Sequence, residues 1–284
     1  MQERTLLHQG HSIQVYTCGS GAIPLVLLHG AGLDSAMLSW KEVMETLPAS
    51  YTAYAVDMLG YGKSDKPEGM AGEAFYSKHL ACLEDVVSQL RLTRFCLAGL
   101  SLGGAFAIGY ALRHPEQIAA LIPVDSWGLV SRMPHHRFYY WLIRSPMMKD
   151  SFRWVANSRW MARWSIRSSL FGDAGRITDS LVDEIVELAA KPHAEQAMLD
   201  YQASSISKTG VTPDYTARFP DLAMPVLFIN GEKDSLVPRA AVRVASKTVP
   251  HGQLYLMKGC KHWAQKERPE EFVRVVDEFI QKNW

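Results

Sequence analysis

The run Phe95-Cys96-Leu97-Ala98-Gly99-Leu100-Ser101-Leu102-Gly103-Gly104 decides how the rest of the chain is read. Phe95–Ala98 suits a strand buried on both faces. Gly99-Leu100-Ser101-Leu102-Gly103 then turns the chain sharply, and Leu102–Leu112 has the apolar character of a buried helix. A serine at such a turn sits in strained backbone, and a bulky residue two places to either side would clash. Glycines at both places remove that clash. The helix that follows aims its N-terminus, the positive end of its dipole, at the serine. This context predicts a nucleophile at Ser101 rather than a glycine-rich turn with an incidental serine.

Outward from this run the chain alternates. Strand-like segments precede it near Thr5–His8 and Ile13–Tyr16, at Leu25–Leu28 before His29-Gly30-Ala31-Gly32, and at Tyr51–Val56 before Asp57. Others follow it at Ile118–Val124 before Asp125, at Val226–Ile229 before Asn230-Gly231, and at Leu254–Met257. Helical spacing occurs at Leu38, Val43, Met44 and Leu47, from about Ala71 to Leu90, and over Glu270–Ile280. Alternating strands and helices imply right-handed crossovers and a mostly parallel sheet, an α/β fold. Only residues 127–217 break the pattern. They hold no buried-strand run and carry Trp127, Trp141, Trp154, Trp160 and Trp164, five of the eight tryptophans. From Trp127 to Arg176 there are nine basic residues against Asp150 and Asp173. The expectation is a helical cap, 127–217, inserted into a core made of residues 1–126 and 218–284.

Composition narrows the function. The 284 residues carry a formal charge of +1, with 48% hydrophobic and 21% charged residues. Those are globular proportions, and the neutral balance argues against a nucleic-acid binder. Cys18, Cys82, Cys96 and Cys260 are far apart and unpaired in sequence, so neither a disulfide framework nor a zinc site is expected. Met1-Gln2-Glu3-Arg4 leads into no long apolar run, so a secretory leader is not expected, and no run of about 18 apolar residues predicts a membrane span. The simplest compartment is cytoplasmic.

A serine hydroxyl needs a base, and the base needs a carboxylate to orient it. His262, in Gly259-Cys260-Lys261-His262-Trp263 after the last strand, is the candidate base. His29 is followed at once by Gly30, which suits a backbone role. His135-His136 offers two imidazoles but no further metal ligands. Asp234, just past the strand Val226–Ile229, is the candidate acid, with Asp125 its rival and Glu232 a weaker one. Asp57 comes too early in the chain and is expected to brace loops. The order Ser101, Asp234, His262 is the one this turn requires. No cofactor and no metal are called for.

These residues resemble the α/β-hydrolase fold superfamily over nearly the whole chain. The resemblance rests on His29–Gly32, Asp57-Met58-Leu59-Gly60-Tyr61-Gly62-Lys63-Ser64, Gly99–Gly103, Gly231–Asp234 and Gly259–Trp263. It implies a cap inserted after the sixth strand and an oxyanion hole formed by the backbone N–H groups of Ala31 and Leu102. Such donors stabilise the tetrahedral oxyanion, and losing one lowers the rate by about 10²–10³. The segment His262-Trp263-Ala264-Gln265-Lys266-Glu267-Arg268-Pro269 further resembles the carbon–carbon bond hydrolases of aromatic-ring cleavage. Those enzymes usually have Asn before the nucleophile, where this chain has Leu100. They also use a cap arginine, near whose place this chain has Ile185.

The leading expectation is therefore a cofactor-free serine hydrolase of a carboxylic ester with an apolar or aromatic part. A carbon–carbon bond hydrolase of a vinylogous diketone and a ligand-binding protein on a hydrolase scaffold are the alternatives. Trp141, Trp154, Trp160, Trp164 and Trp263 are the expected substrate-binding residues. The partner is a small-molecule substrate; a homodimer is admitted but not specified. Arg159, Arg163 and Arg167, four apart, share a helix face. That stripe reads as a solvated face, a dock for an anionic substrate group, or a weak attachment to an anionic membrane surface.

Overall fold

Apolar runs buried on both faces form the middle of one eight-stranded sheet. The computed structural model describes residues 1–133 and 135–284. In chain order the strands are β1 (Gln2–His8), β2 (His11–Gly19), β3 (Ile23–Leu28), β4 (Tyr51–Val56), β5 (Phe95–Leu100), β6 (Ile118–Val124), β7 (Val226–Gly231) and β8 (Gly252–Met257). Their spatial order is β1-β2-β4-β3-β5-β6-β7-β8. The pairs β1–β2 and β2–β4 are antiparallel, and every pair from β4–β3 to β7–β8 is parallel. Every residue of β5, β6 and β7 is buried, as strands covered by helices on both faces must be. All eight strands overlap the segments expected from the sequence, although β1 begins at Gln2 rather than near Thr5 and β2 spans His11–Gly19.

Helices α1 (Ala36–Thr46), α2 (Phe75–Gln89) and α3 (Leu102–Arg113) link the first six strands. The helix expected from about Ala71 begins at Phe75, because Gly72 takes a left-handed φ of 112° and closes a turn onto Phe75 N. Between β6 and β7 lies the helical insertion: α4 (His136–Leu142), α5 (Pro146–Ala156), α6 (Arg159–Ser165), α7 (Asp179–Ala189) and α8 (Gln196–Ser205). The chain then returns through β7, α9 (Arg239–Thr248), β8, α10 (Ala264–Glu267) and α11 (Pro269–Asn283). The strand pattern leaves α9 unannounced. It starts after Pro238 and buries Val242 and Ala245 on one side. No helix among the described residues is long and apolar enough to cross a membrane.

The insertion is fastened to the loop that follows β8. The buried Glu267 carboxylate accepts from Gly172 N at 2.7 Å and Asp173 N at 2.8 Å, and Arg176 donates to the Glu267 carbonyl at 2.8 Å. Trp263 N donates to Leu170 O at 3.0 Å. These bonds couple the cap to the loop that carries His262.

Candidate active site

Ser101 sits at the parallel end of the sheet with φ 51° and ψ −113°, conformations that cost a non-glycine residue about 1–3 kcal/mol. The surroundings hold it there. Ser101 N donates to Val124 O at 2.9 Å, and Ser101 O accepts from Trp127 N at 2.9 Å. A Cβ at Gly99 would lie 2.2 Å from Gly103 O, and one at Gly103 would lie 2.4 Å from His29 O. The two flanking glycines thus let the turn pack against β3 and against itself.

His262 is buried in the loop between β8 and α10. Its Nδ1–H donates to Asp234 Oδ2 at 2.9 Å, and the Asp234 side chain is fully buried. Asp234 Oδ1 accepts from Leu236 N at 2.7 Å. Burial pushes the Asp234 pKa up. The facing His262, with hydrogen bonds from His262, Asp125 and Leu236 N, outweighs burial and leaves it below the ordinary value. Asp125, at the end of β6, is also buried, and its Oδ1 accepts from Gly231 N at 2.8 Å. Burial first, then the charge of Asp234, raise its pKa well above the carboxylate range. Asp125, Asp234 and His262 bring donor atoms within 4.8 Å of one another. A cation could also bridge that spacing, but Asp234 already accepts from His262 and Leu236 N. Of the two rival acids, it is Asp234 that bonds His262. Glu232 points elsewhere and accepts from Gly259 N at 3.0 Å.

The loop after β3 brings Ala31 to the cavity that Ser101 lines. Its shape depends on Asp34, which the sequence reading did not single out. Buried Asp34 accepts from Gly30 N at 2.7 Å, Ser35 N at 2.8 Å and Ser39 Oγ at 2.6 Å. An acid three residues after Ala31 and just before a Ser that caps α1 was the available signal. His29 has the expected backbone role: Nδ1–H donates to Gly30 O at 2.7 Å, and Nε2 accepts from Met58 N at 3.1 Å. Asp57 braces loops, accepting from Ala36 N at 2.7 Å and Lys63 N at 2.8 Å. Of the paired histidines, His136 is buried and donates from Nε2 to Ser207 O at 2.8 Å.

Ser101, His262, Ala31 and Trp263 all line one cavity of about 510 Å³ between the sheet and the cap. Its wall is mainly apolar, with Met148, Phe152 and Ile185 from the cap and Trp127 from beyond the end of β6, and with Ser151, Ser165, Ser169 and Gln202 among its polar residues. Among the described residues no lysine or arginine lines it. The expected roles of the cap tryptophans need correcting here. Trp141, Trp154, Trp160 and Trp164 are exposed and none lines the cavity. Nor does Arg159, Arg163 or Arg167. Arg159 and Arg163 pair with Asp179 of α7, and Arg159 also with Asp183.

A family model described as alpha/beta hydrolase fold matches residues 23–269. The chain belongs to the α/β-hydrolase family. This hydrolase is 29% identical over 274 residues to a pimeloyl-[acyl-carrier protein] methyl ester esterase of Edwardsiella ictaluri, covering 93% of this chain and 95% of that one. It is 26% identical over 274 residues to a 2-hydroxy-6-oxononadienedioate/2-hydroxy-6-oxononatrienedioate hydrolase of Cupriavidus pinatubonensis, covering 92% and 88%. Its fold superposes on 2-hydroxy-6-oxo-6-phenylhexa-2,4-dienoate hydrolase from a Rhodococcus species with a TM-score of 0.82, at 21% identity and over 99% and 98% of the two chains. These relatives thus divide between a methyl ester esterase and hydrolases of 2-hydroxy-6-oxo acids, and the structural likeness is one of fold.

Proposed function

We propose that this hydrolase cleaves carboxylic esters with an apolar or aromatic part through a Ser101–His262–Asp234 triad. The observation that supports the choice of substrate is the cavity wall: it meets Ser101 and His262 with mainly apolar side chains, a few hydroxyl and amide groups and, among the described residues, no lysine or arginine. A dienoate from ring cleavage bears a carboxylate, and burying that charge without a partner is costly. Lys66 and Lys191 lie in a neighbouring cavity of about 530 Å³, on the far side of Leu33 and Asp34. Leu100 before the nucleophile and Ile185 in the cavity wall support the same choice.

In this reading Ser101 Oγ attacks the ester carbonyl while His262 Nε2 takes its proton. Asp234 holds the opposite ring nitrogen, fixing the tautomer and stabilising the imidazolium. The N–H groups of Ala31 and Leu102 receive the oxyanion. The acyl–oxygen bond breaks, and His262 returns the proton to the departing alcohol. Water, deprotonated by His262, then attacks the acyl-enzyme and releases the acid. No cofactor enters these steps.

The test is a panel of aryl and alkyl esters, an amide and one ring-cleavage dienoate, each read against Ser101→Ala. Ester turnover that disappears in the variant is the expected result. Cleavage of the dienoate with esters ignored would replace this reading by carbon–carbon bond hydrolysis. Tight ligand retention with no turnover would make the protein a binder.

A further inference from the structure

Three cap segments turn one side to the cavity: Leu142 of α4 with Ile143 just past it, Phe152 and Val155 of α5, and Ile166 and Leu170 in the turn that follows α6. Other sides of the same helices carry Phe138 and Trp141, Met147 and Trp154, and Trp160 and Trp164. These pairs are spaced three, seven and four residues apart, so each shares a helix face. All six side chains are between 48% and 69% exposed. Single exposed apolar residues are ordinary, but Phe138 and Trp141 set two large exposed rings on one face of a single short helix, the mark of an interaction surface.

The charge is one-sided around α4 but balanced around α5 and α6. Acids neutralise Lys149, Arg153, Arg159 and Arg163. Among the described residues no carboxylate pairs with Arg132, Arg137, Arg144 or Arg167. Beside α4 an open groove of about 510 Å³ is lined by Arg132, Arg137, Lys208, His135, His136 and Phe138, with no acid among the described residues. Tryptophan and phenylalanine interleaved with arginine are the composition of a surface lying at a lipid headgroup layer, the rings in the interface and the cations against phosphates. A second copy of the chain fits less well. A two-fold contact would set this positive face against itself, bringing like charges together.

We propose that the outer face of the cap, centred on α4, docks on the surface of an anionic phospholipid bilayer. The proposal is independent of the ester reading, because docking is measured without turnover. The experiment is sedimentation of the full chain with vesicles of phosphatidylcholine alone or mixed with phosphatidylglycerol, at low and high salt. Binding to the anionic vesicles should exceed binding to neutral ones at least about fivefold and fall as salt screens the arginines. Phe138→Ser with Trp141→Ser, and Arg132→Glu with Arg137→Glu, should each abolish that excess while circular dichroism and melting stay those of the parent. Tryptophan emission of the unaltered protein should also shift to the blue on anionic vesicles, a readout that needs no variant. Equal sedimentation with both vesicle types, or an unshifted emission, overturns the proposal. So does lipid-free light scattering that shows a dimer dispersed by the Phe138 and Trp141 pair, which would assign the face to a second copy.

Discussion

Asp125 and Asp234 hold their carboxyl groups together behind His262, with oxygens within 4.8 Å. Two buried carboxylates this close do not both ionise. Burial and the neighbouring charge push Asp125 up, while His262 holds Asp234 down, so a proton shared by the pair favours Asp125. Asp125 Oδ2, which has no donor or other acceptor partner, can then give that proton to Asp234. One acid faces the imidazole and the other stands behind it as a neutral donor.

This division predicts unequal variants. Asp234→Asn should lower kcat by about 10⁴, because an amide can hold the imidazole in the wrong tautomer. Asp125→Asn keeps a donor toward Asp234 and should cost less than about tenfold. Steady-state kinetics on one activated ester would decide, and the reverse ranking would move the orienting role to Asp125.

The same pair predicts a pH dependence of stability. An acid whose folded pKa is raised binds more protons folded than unfolded between its two pKa values, so stability falls as pH rises through that window. For Asp125 the window opens at the ordinary carboxylate value and extends well upward, with a limiting slope of about 1.4 kcal/mol per pH unit. Asp234 acts oppositely, its contribution being lost only as pH falls through its depressed value. Asp125→Asn should therefore gain stability over the parent as pH rises above about 4. Urea unfolding at several pH values would show this; a constant difference would place the proton elsewhere.

The loop carrying Ala31 rests on Asp34. Asp34→Ala removes the acceptor of Gly30 N, Ser35 N and Ser39 Oγ together. Displacing an oxyanion donor by about 1 Å can cost about 10² in rate. We expect that loss in kcat with KM nearly unchanged, and partial rescue in Asp34→Asn, which keeps one acceptor oxygen. Unchanged kcat in the alanine variant would show that Ala31 N–H holds its place without this carboxylate.

How far the sequence carries depends on which force leaves a local mark. β5 and β7 are buried on both faces, so their apolar runs identify them without knowledge of their neighbours. Gly99 and Gly103 announce the turn because a Cβ at either would meet backbone. Asp34 and Glu267 are different. Each works by collecting backbone N–H groups, and for Glu267 those lie 94 and 95 residues away, a relation no short motif contains. The cap tryptophans mislead for a related reason. Helical spacing tells which residues share a face, not which face turns inward, and the apolar surface that Trp141, Trp154, Trp160 and Trp164 offer lies outside the cavity.

The inner wall, rather than those tryptophans, should set substrate choice. Met148, Phe152 and Ile185 present apolar and partly adaptable surface to a space of about 510 Å³ above Ser101. Transfer of one methylene from water into such a space is worth about 0.8 kcal/mol, or about fourfold in kcat/KM if the contact persists in the transition state. A homologous series of p-nitrophenyl esters should rise by roughly that factor per carbon until the cavity is filled, then fall. Ile185→Ala should shift the maximum to a longer chain, whereas Trp160→Ala, altering only the outer surface, should leave it in place. Adding a terminal carboxylate to the best ester should lower kcat/KM sharply, since no lysine or arginine among the described residues lines the wall to receive it. A series that favours small hydrophilic esters, or one that tolerates the carboxylate, would contradict an apolar acyl site.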